Sequence, residues 1–215
     1  MSEDWIARWQ QGRIGWHQAD GNPYLQRYWP DLGHNGTVLV PLCGKSVDLV
    51  WLAAQGLTVT GIELSDIAII AFFAENEIEY TLDQSGELDC YSAVSVPIRL
   101  YCGNYFDYAA EPAMALYDRG ALATLPAAER PDYIEHTKSL LLPDAFRMII
   151  SLEYDQDMAN GPPFSVLSEE LLQYWPDLRR ADSHNDIDHC PPKFRAAGIT
   201  EVIEAVWLTK QSDGP

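Results

Sequence analysis

The segment Val40-Pro41-Leu42-Cys43-Gly44-Lys45-Ser46-Val47-Asp48-Leu49 places a glycine, a lysine and a hydroxyl in succession, the ending of a loop that cradles nucleoside triphosphates. That loop also needs a glycine at position 39, where this chain has Leu39. Glu63 stands 19 residues beyond Gly44 (63 − 44). In doubly wound α/β proteins an acidic residue about 20 positions past the first turn takes the ribose hydroxyls of a bound nucleoside. A dinucleotide turn is glycine-rich because its backbone must approach two phosphates. Pro41 to Ser46 offers a single glycine and spends one position on proline. The pair of turn and carboxylate therefore suits adenosine without phosphates. S-adenosylmethionine meets that description, with the ribose on Glu63 and the amino-acid tail on the turn backbone.

Asn104 and Tyr105 follow an apolar stretch at 98–102 and supply an amide and an aromatic face suited to adenine. Asp118 and Arg119 follow another apolar stretch and put a carboxylate and a guanidinium at the same kind of position, although a surface ion pair is the bland alternative. Cys43 has only Lys45 nearby to lower its pKa, so it reads as a packed thiol and not a nucleophile. His184, His189 and Cys190 match no standard zinc spacing, so we expect a polar loop and no metal. Trp5, Trp9 and Trp16 form an N-terminal aromatic group that suits core packing, a protein-binding patch or a lid over a flat ligand. His17 is a substrate contact or a hydrogen-bonded lid histidine, and Pro163 with Phe164 in Gly161-Pro162-Pro163-Phe164 form a second candidate substrate wall.

Strands and helices must alternate to present these residues. Thr37 to Val40 reads as a buried strand, Val47 to Gln55 as a helix stopped by Gly56, and Leu57 to Ile62 as a second strand. Ser65 or Asp66 can cap a helix running through Ala68 to about Asn76. Strands follow at 98–102 and 113–117, then a helix from Ala127 to about Leu142, a strand at 146–152, a short helix from Ser168 and an apolar strand from Thr200 to Thr209. The alternation predicts a mostly parallel sheet with helices on both faces, and a ligand beyond the carboxyl ends of its strands.

The chain has 215 residues and a formal charge of -18. Its length fits one domain at roughly 100–200 residues each. The charge repels phosphate backbones, so a nucleic-acid partner is not expected. The N-terminus lacks the basic-then-apolar build of a secretory signal, no stretch reaches the length of a membrane span, and the cysteines form no C-x-x-C pair. We expect a cytoplasmic protein acting on a small molecule.

The motifs V-P-L-C-G-K-S-V-D-L-V-W-L-A at 40–53, G-I-E-L-S at 61–65, Y-D-R-G-A-L at 117–122 and G-P-P-F at 161–164 resemble the thiopurine S-methyltransferase family. W-I-A-R-W at the N-terminus and G-W-H-Q at 15–18 extend the likeness to nearly the whole chain. The resemblance implies a Rossmann-like class I methyltransferase with a mostly parallel seven-stranded sheet, in which residues 1–34 form a lid over the cofactor and 35–215 the core. It implies that Trp9, Leu42, Glu63, Asn104, Tyr105 and Arg119 hold S-adenosylmethionine. Trp16 stands where the family commonly presents phenylalanine to the substrate, and Asn104 where many bacterial relatives carry an acidic residue. Methyl transfer to a thiol is an in-line displacement that needs alignment more than an enzyme nucleophile. Asp118, acting through water, and Arg119, favouring the thiolate, are the candidate catalytic residues. The implied acceptors are aromatic or heterocyclic thiols such as thiopurines, with selenium and tellurium species as further acceptors, on a monomeric enzyme. Another heteroatom acceptor, or a nucleoside-binding domain without turnover, remains the alternative.

Overall fold

A computed structural model of the chain describes residues 2–15, 17–31 and 36–210. The chain divides into two compact units, Met1–Ala115 with Leu140–Leu142, and Leu116–Ser139 with Pro143–Pro215.

The first unit opens with helices α1 (Ser2–Gln10) and α2 (Pro23–Tyr28). Asn22 starts α2 because its side-chain oxygen accepts from the N–H groups of Tyr24 and Leu25, and Pro23 sits at the first helical position, where no N–H is needed. Strand β1 (Thr37–Pro41), helix α3 (Asp48–Ala54) and strand β2 (Thr58–Glu63) follow. Leu49 and Leu52 on α3 are fully buried, each contributing about 1.5–3 kcal/mol by leaving water. Gly56 ends the helix with φ 86, a backbone conformation other residues adopt at a cost. Helix α4 (Asp66–Glu75) buries Ala68, Ile69, Phe72 and Phe73, and α1 packs against it. Strands β3 (Tyr80–Asp83), β4 (Asp89–Ala93) and β5 (Ile98–Cys102) complete the run before β6 (Ala113–Arg119).

The second unit continues through helices α5 (Ala121–Thr124) and α6 (Arg130–Ser139), strand β7 (Leu141–Glu153), helix α7 (Ser168–Tyr174), strand β8 (Leu178–Asn185), helix α8 (Pro192–Ala196) and strand β9 (Ile203–Thr209). Tyr154, Phe194, Ile199 and Val202 form a buried cluster beneath α8, with Cys190 packed against it. Arg130 is almost wholly buried and anchors α6, donating to the carbonyls of Leu125 and Ser165 and to the Glu170 carboxylate at 2.6 Å.

Among the described residues nine strands form one sheet in the order β3-β4-β5-β2-β1-β6-β7-β9-β8. Strand β2 runs parallel to both β1 and β5. The pairs β3–β4, β4–β5, β7–β9 and β8–β9 are antiparallel. The expected seven-stranded, mostly parallel sheet is thus corrected to a mixed sheet of nine. The predicted helix to Leu142 ends at Ser139, because Leu141 already begins β7, and the last strand begins at Ile203 and not Thr200. No described helix is long and apolar enough to cross a membrane.

Candidate active site

Parallel pairing brings the carboxyl ends of β1, β2 and β5 side by side in the first unit. Pro41 lies opposite Ile62, and Glu63 opposite Cys102. The turn leaving β1 coils tightly, with Leu42 at φ 48 and Gly44 at φ 56. A non-glycine residue in this left-handed region costs roughly 1–2 kcal/mol, so the strain at Leu42 is balanced by the turn's other bonds. Cys43 N–H donates to the Ile62 carbonyl at 3.0 Å, which fastens the turn to β2.

Glu63 is the centre of this arrangement. One carboxylate oxygen accepts from Gly44 N–H and the other from Ser65 N–H, both at 2.9 Å. The side chain is buried, and burial raises its pKa above the ordinary carboxylate range, while the N–H groups of Ser65, Gly44 and Leu64 oppose the rise. Gly103 N–H donates to the Glu63 carbonyl at 2.9 Å, bringing the chain after β5 to the same place. There Asn104 is exposed and Tyr105 buried. Of the two candidate caps of α4, Ser65 holds the cap position, but its buried hydroxyl makes no cap bond and has no hydrogen-bond partner.

Trp9 on α1 covers the turn. A Cβ built on Gly44 would approach Trp9 Cζ2 to 3.3 Å, and the indole is buried. Lys45 pairs with Glu75 on α4, 2.6 Å from its amine. Cys43 lies packed under Gly61, and burial, with the Glu63 charge adding, pushes its thiol pKa well above normal. The N-terminal segment is tied down by a bond that no local pattern announces. Asn22 N–H donates to the buried Asp48 carboxylate at 2.7 Å, and a Cβ on Gly21 would meet the same oxygen at 2.9 Å. His17 is half-buried, its N–H donating to the Ile14 carbonyl. Trp16 lies outside the described residues.

In the second unit Asp118 and Arg119 end β6. The Asp118 carboxylate is buried and accepts from Ala121 N–H at 3.0 Å, Leu122 N–H at 3.4 Å and Tyr133 Oη at 2.8 Å. Burial raises its pKa to about 6, with the Tyr133, Leu122 and Ala121 hydrogen bonds opposing. It therefore starts α5 and anchors α6. Arg119 is half-buried and close enough to Glu204 to favour that residue's ionised form. The loop after β7 is fastened at several points. Phe164 N–H donates to the Ala123 carbonyl, Tyr154 Oη to the Pro163 carbonyl at 2.7 Å and Lys193 Nζ to the Pro162 carbonyl at 2.8 Å. Pro163 and Phe164 are half-buried. The polar loop expected at His184, His189 and Cys190 is corrected at His184, which lies on β8, and both histidines approach the same Asp186 oxygen. His184 meets Asp186 and Glu204, His189 bonds Asp186, and Cys190 packs in the apolar cluster.

The buried carboxylate and hydroxyl at the end of β2 fit a ribose. Two carboxylate oxygens offer about four acceptor positions, and the N–H groups of Gly44, Ser65 and Leu64 leave at least one of them for a hydroxyl. The unpartnered Ser65 hydroxyl adds a polar atom wanting a ligand.

The fold is that of the class I S-adenosylmethionine-dependent methyltransferases. A structure of 1,6-didemethyltoxoflavin-N1-methyltransferase from Burkholderia thailandensis, with 1,6-didemethyltoxoflavin and S-adenosylhomocysteine bound, is similar at TM-score 0.65 and 18% identity, covering 98% of this chain and 87% of that one. TehB from Haemophilus influenzae is similar at TM-score 0.58 and 14% identity, over 88% of this chain and 60% of that one. The thiopurine S-methyltransferase family model matches residues 1–212, and the chain belongs to that family. A thiopurine S-methyltransferase from Pseudomonas fluorescens is 41% identical over 98% of each chain, and one from Bordetella petrii 40% identical over 96% of each. The protein is an S-adenosylmethionine-dependent methyltransferase.

Proposed function

We propose that the enzyme methylates the sulfur of small aromatic or heterocyclic thiols, thiopurines among them. The acceptor class is supported by family relatives bearing that name at about 40% identity over nearly their full length. The observation that carries the cofactor side is the buried Glu63 carboxylate, fixed by Gly44 and Ser65 with acceptor capacity to spare.

S-adenosylmethionine supplies an electrophilic methyl group when bound. Glu63 takes the ribose hydroxyls, Leu42 and the turn backbone hold the amino-acid portion, and Asn104 and Tyr105 flank the adenine. Trp9 covers the turn as part of a lid formed by residues 1–34, which excludes water from the charged sulfonium. His17 contacts the acceptor. Arg119 favours the thiolate by its charge. Asp118 positions the β6–α5 turn that carries Arg119, since its carboxylate is already committed to Ala121, Leu122 and Tyr133. An aromatic thiol is acidic enough to ionise near neutral pH without a strong base. We place the enzyme in the cytoplasm as a monomer, with no nucleic-acid partner in view of its charge of -18.

The test is incubation with methyl-labelled cofactor and a panel of aromatic thiols, a heterocyclic amine, selenite and tellurite. Methylated thiol in excess of every other product is the expected result. Product from the amine or the oxyanions alone overturns the thiol assignment. Cofactor binding without any product overturns turnover itself in favour of a nucleoside-binding module.

A further inference from the structure

Strands β8 and β9 pair antiparallel so that His184 lies directly opposite Glu204, which places both side chains on one face of the sheet. Just beyond β8, Asp186 N–H donates to the Val202 carbonyl at 2.7 Å, which turns the chain back over the same spot. Ligating atoms of His184, Asp186 and Glu204 all lie within 4.8 Å of one another, and all three residues are half-buried. We propose that these three side chains form a binding site for a divalent transition-metal ion, zinc being the best match.

The donor set is one imidazole nitrogen and two carboxylates, a mixture suited to zinc and neighbouring borderline ions and less so to magnesium or calcium, which prefer all-oxygen shells. Two carboxylates and a neutral imidazole balance a dication. Donors about 2.0–2.2 Å from a zinc ion stand a little over 3 Å apart, which side-chain rotation reaches from the observed spacing. His184 Nε2 is already 3.4 Å from Asp186 Oδ1. His189 Nδ1 lies 2.7 Å from that oxygen, the kind of outer contact that orients a ligating carboxylate. Three protein ligands leave a fourth position for water. In the metal-free protein the Arg119 charge acts on Glu204, so metal entry competes with it. Cys190 is not a ligand here, because it packs against Tyr154, Phe194, Ile199 and Val202.

The test is zinc titration of the full chain by calorimetry near pH 7.5, with cobalt as an optical probe. One ion per chain is expected, with a cobalt spectrum of nitrogen and oxygen coordination and a rise in Tm with zinc. His184→Asn and Glu204→Gln should each weaken binding at least ~10-fold and remove the Tm rise. Cys190→Ser, and His136→Ala on α6, should leave both intact, and circular dichroism checks that each variant is folded. Absence of saturable one-to-one binding overturns the proposal. So does binding that survives both ligand variants, or binding that Cys190→Ser abolishes.

Discussion

Glu63 grips Gly44 across the crossover between β1 and β2, its carboxylate oxygen 2.9 Å from the glycine N–H. The residue assigned to the ribose therefore also sets the shape of the turn assigned to the amino-acid tail. Glu63→Gln separates the two roles poorly, because an amide NH2 would face a backbone N–H on one side. We expect cofactor affinity to fall ~10–100-fold, the loss of about 1.5–3 kcal/mol that goes with hydrogen bonds to a charged acceptor. Stability should drop by about 1–3 kcal/mol through an unsatisfied buried donor. Calorimetry with S-adenosylhomocysteine and urea unfolding measure the two separately, and unchanged affinity removes Glu63 from the ribose.

Gly44→Ala meets two obstacles at once, a left-handed backbone at φ +56 and the Trp9 ring at 3.3 Å. We expect a loss of about 1–2 kcal/mol from the backbone alone. Trp9→Leu added to it should restore only the steric part. Full recovery of Tm in the double variant would show that the backbone conformation carries no strain.

Asp48→Ala leaves the buried Asn22 N–H without its acceptor. The expected cost is about 1–3 kcal/mol, concentrated at the N-terminal segment. Limited proteolysis should then cut within residues 2–31 sooner than in the parent, and addition of S-adenosylhomocysteine should slow that cleavage in the parent. Identical digestion patterns contradict both the anchor and the lid.

The Asp118 pKa, raised to about 6, makes a signed prediction. A carboxyl whose folded pKa exceeds its unfolded one stabilises the fold fully below the unfolded value, and that contribution is lost as pH rises through the folded value. Between about pH 4 and pH 6 the parent should lose up to about 3 kcal/mol relative to Asp118→Asn. Urea unfolding at pH 4.5 and 7.5 reads the difference. Tyr133→Phe removes a bond that lowers this pKa and should extend the window upward. An activity profile of Asp118→Asn equal to the parent's in shape and height would confirm that it serves as a positioning residue and not as a base.

The first crossover was legible because several independent signals agree there. Thr37 to Val40 is an apolar, β-branched run, the helix after it has apolar positions at helical spacing, Gly56 stops that helix, and Glu63 falls at the ribose spacing. The outer strands carry no such signal. All of β3 is exposed, and β8 reads Leu-Arg-Arg-Ala-Asp-Ser-His-Asn, so neither shows a buried face for periodicity to find. Pro143 and Asp144 hid the first part of β7, since proline suggests a break where the strand continues. Missing β8 also hid the pairing of His184 with Glu204, which only antiparallel register creates. Asp48 with Asn22, 26 residues apart, and Asp118 with Tyr133, 15 apart, escaped because hydrogen bonds across the fold leave no local spacing rule.

Cys43 gains meaning from the chemistry proposed around it. An enzyme that delivers methyl groups to sulfur risks alkylating its own thiols, above all one lodged in the donor's cradle. Packed under Gly61 beside an anionic neighbour, this sulfur keeps its proton and stays a poor nucleophile, so the catalyst is spared from becoming its own substrate.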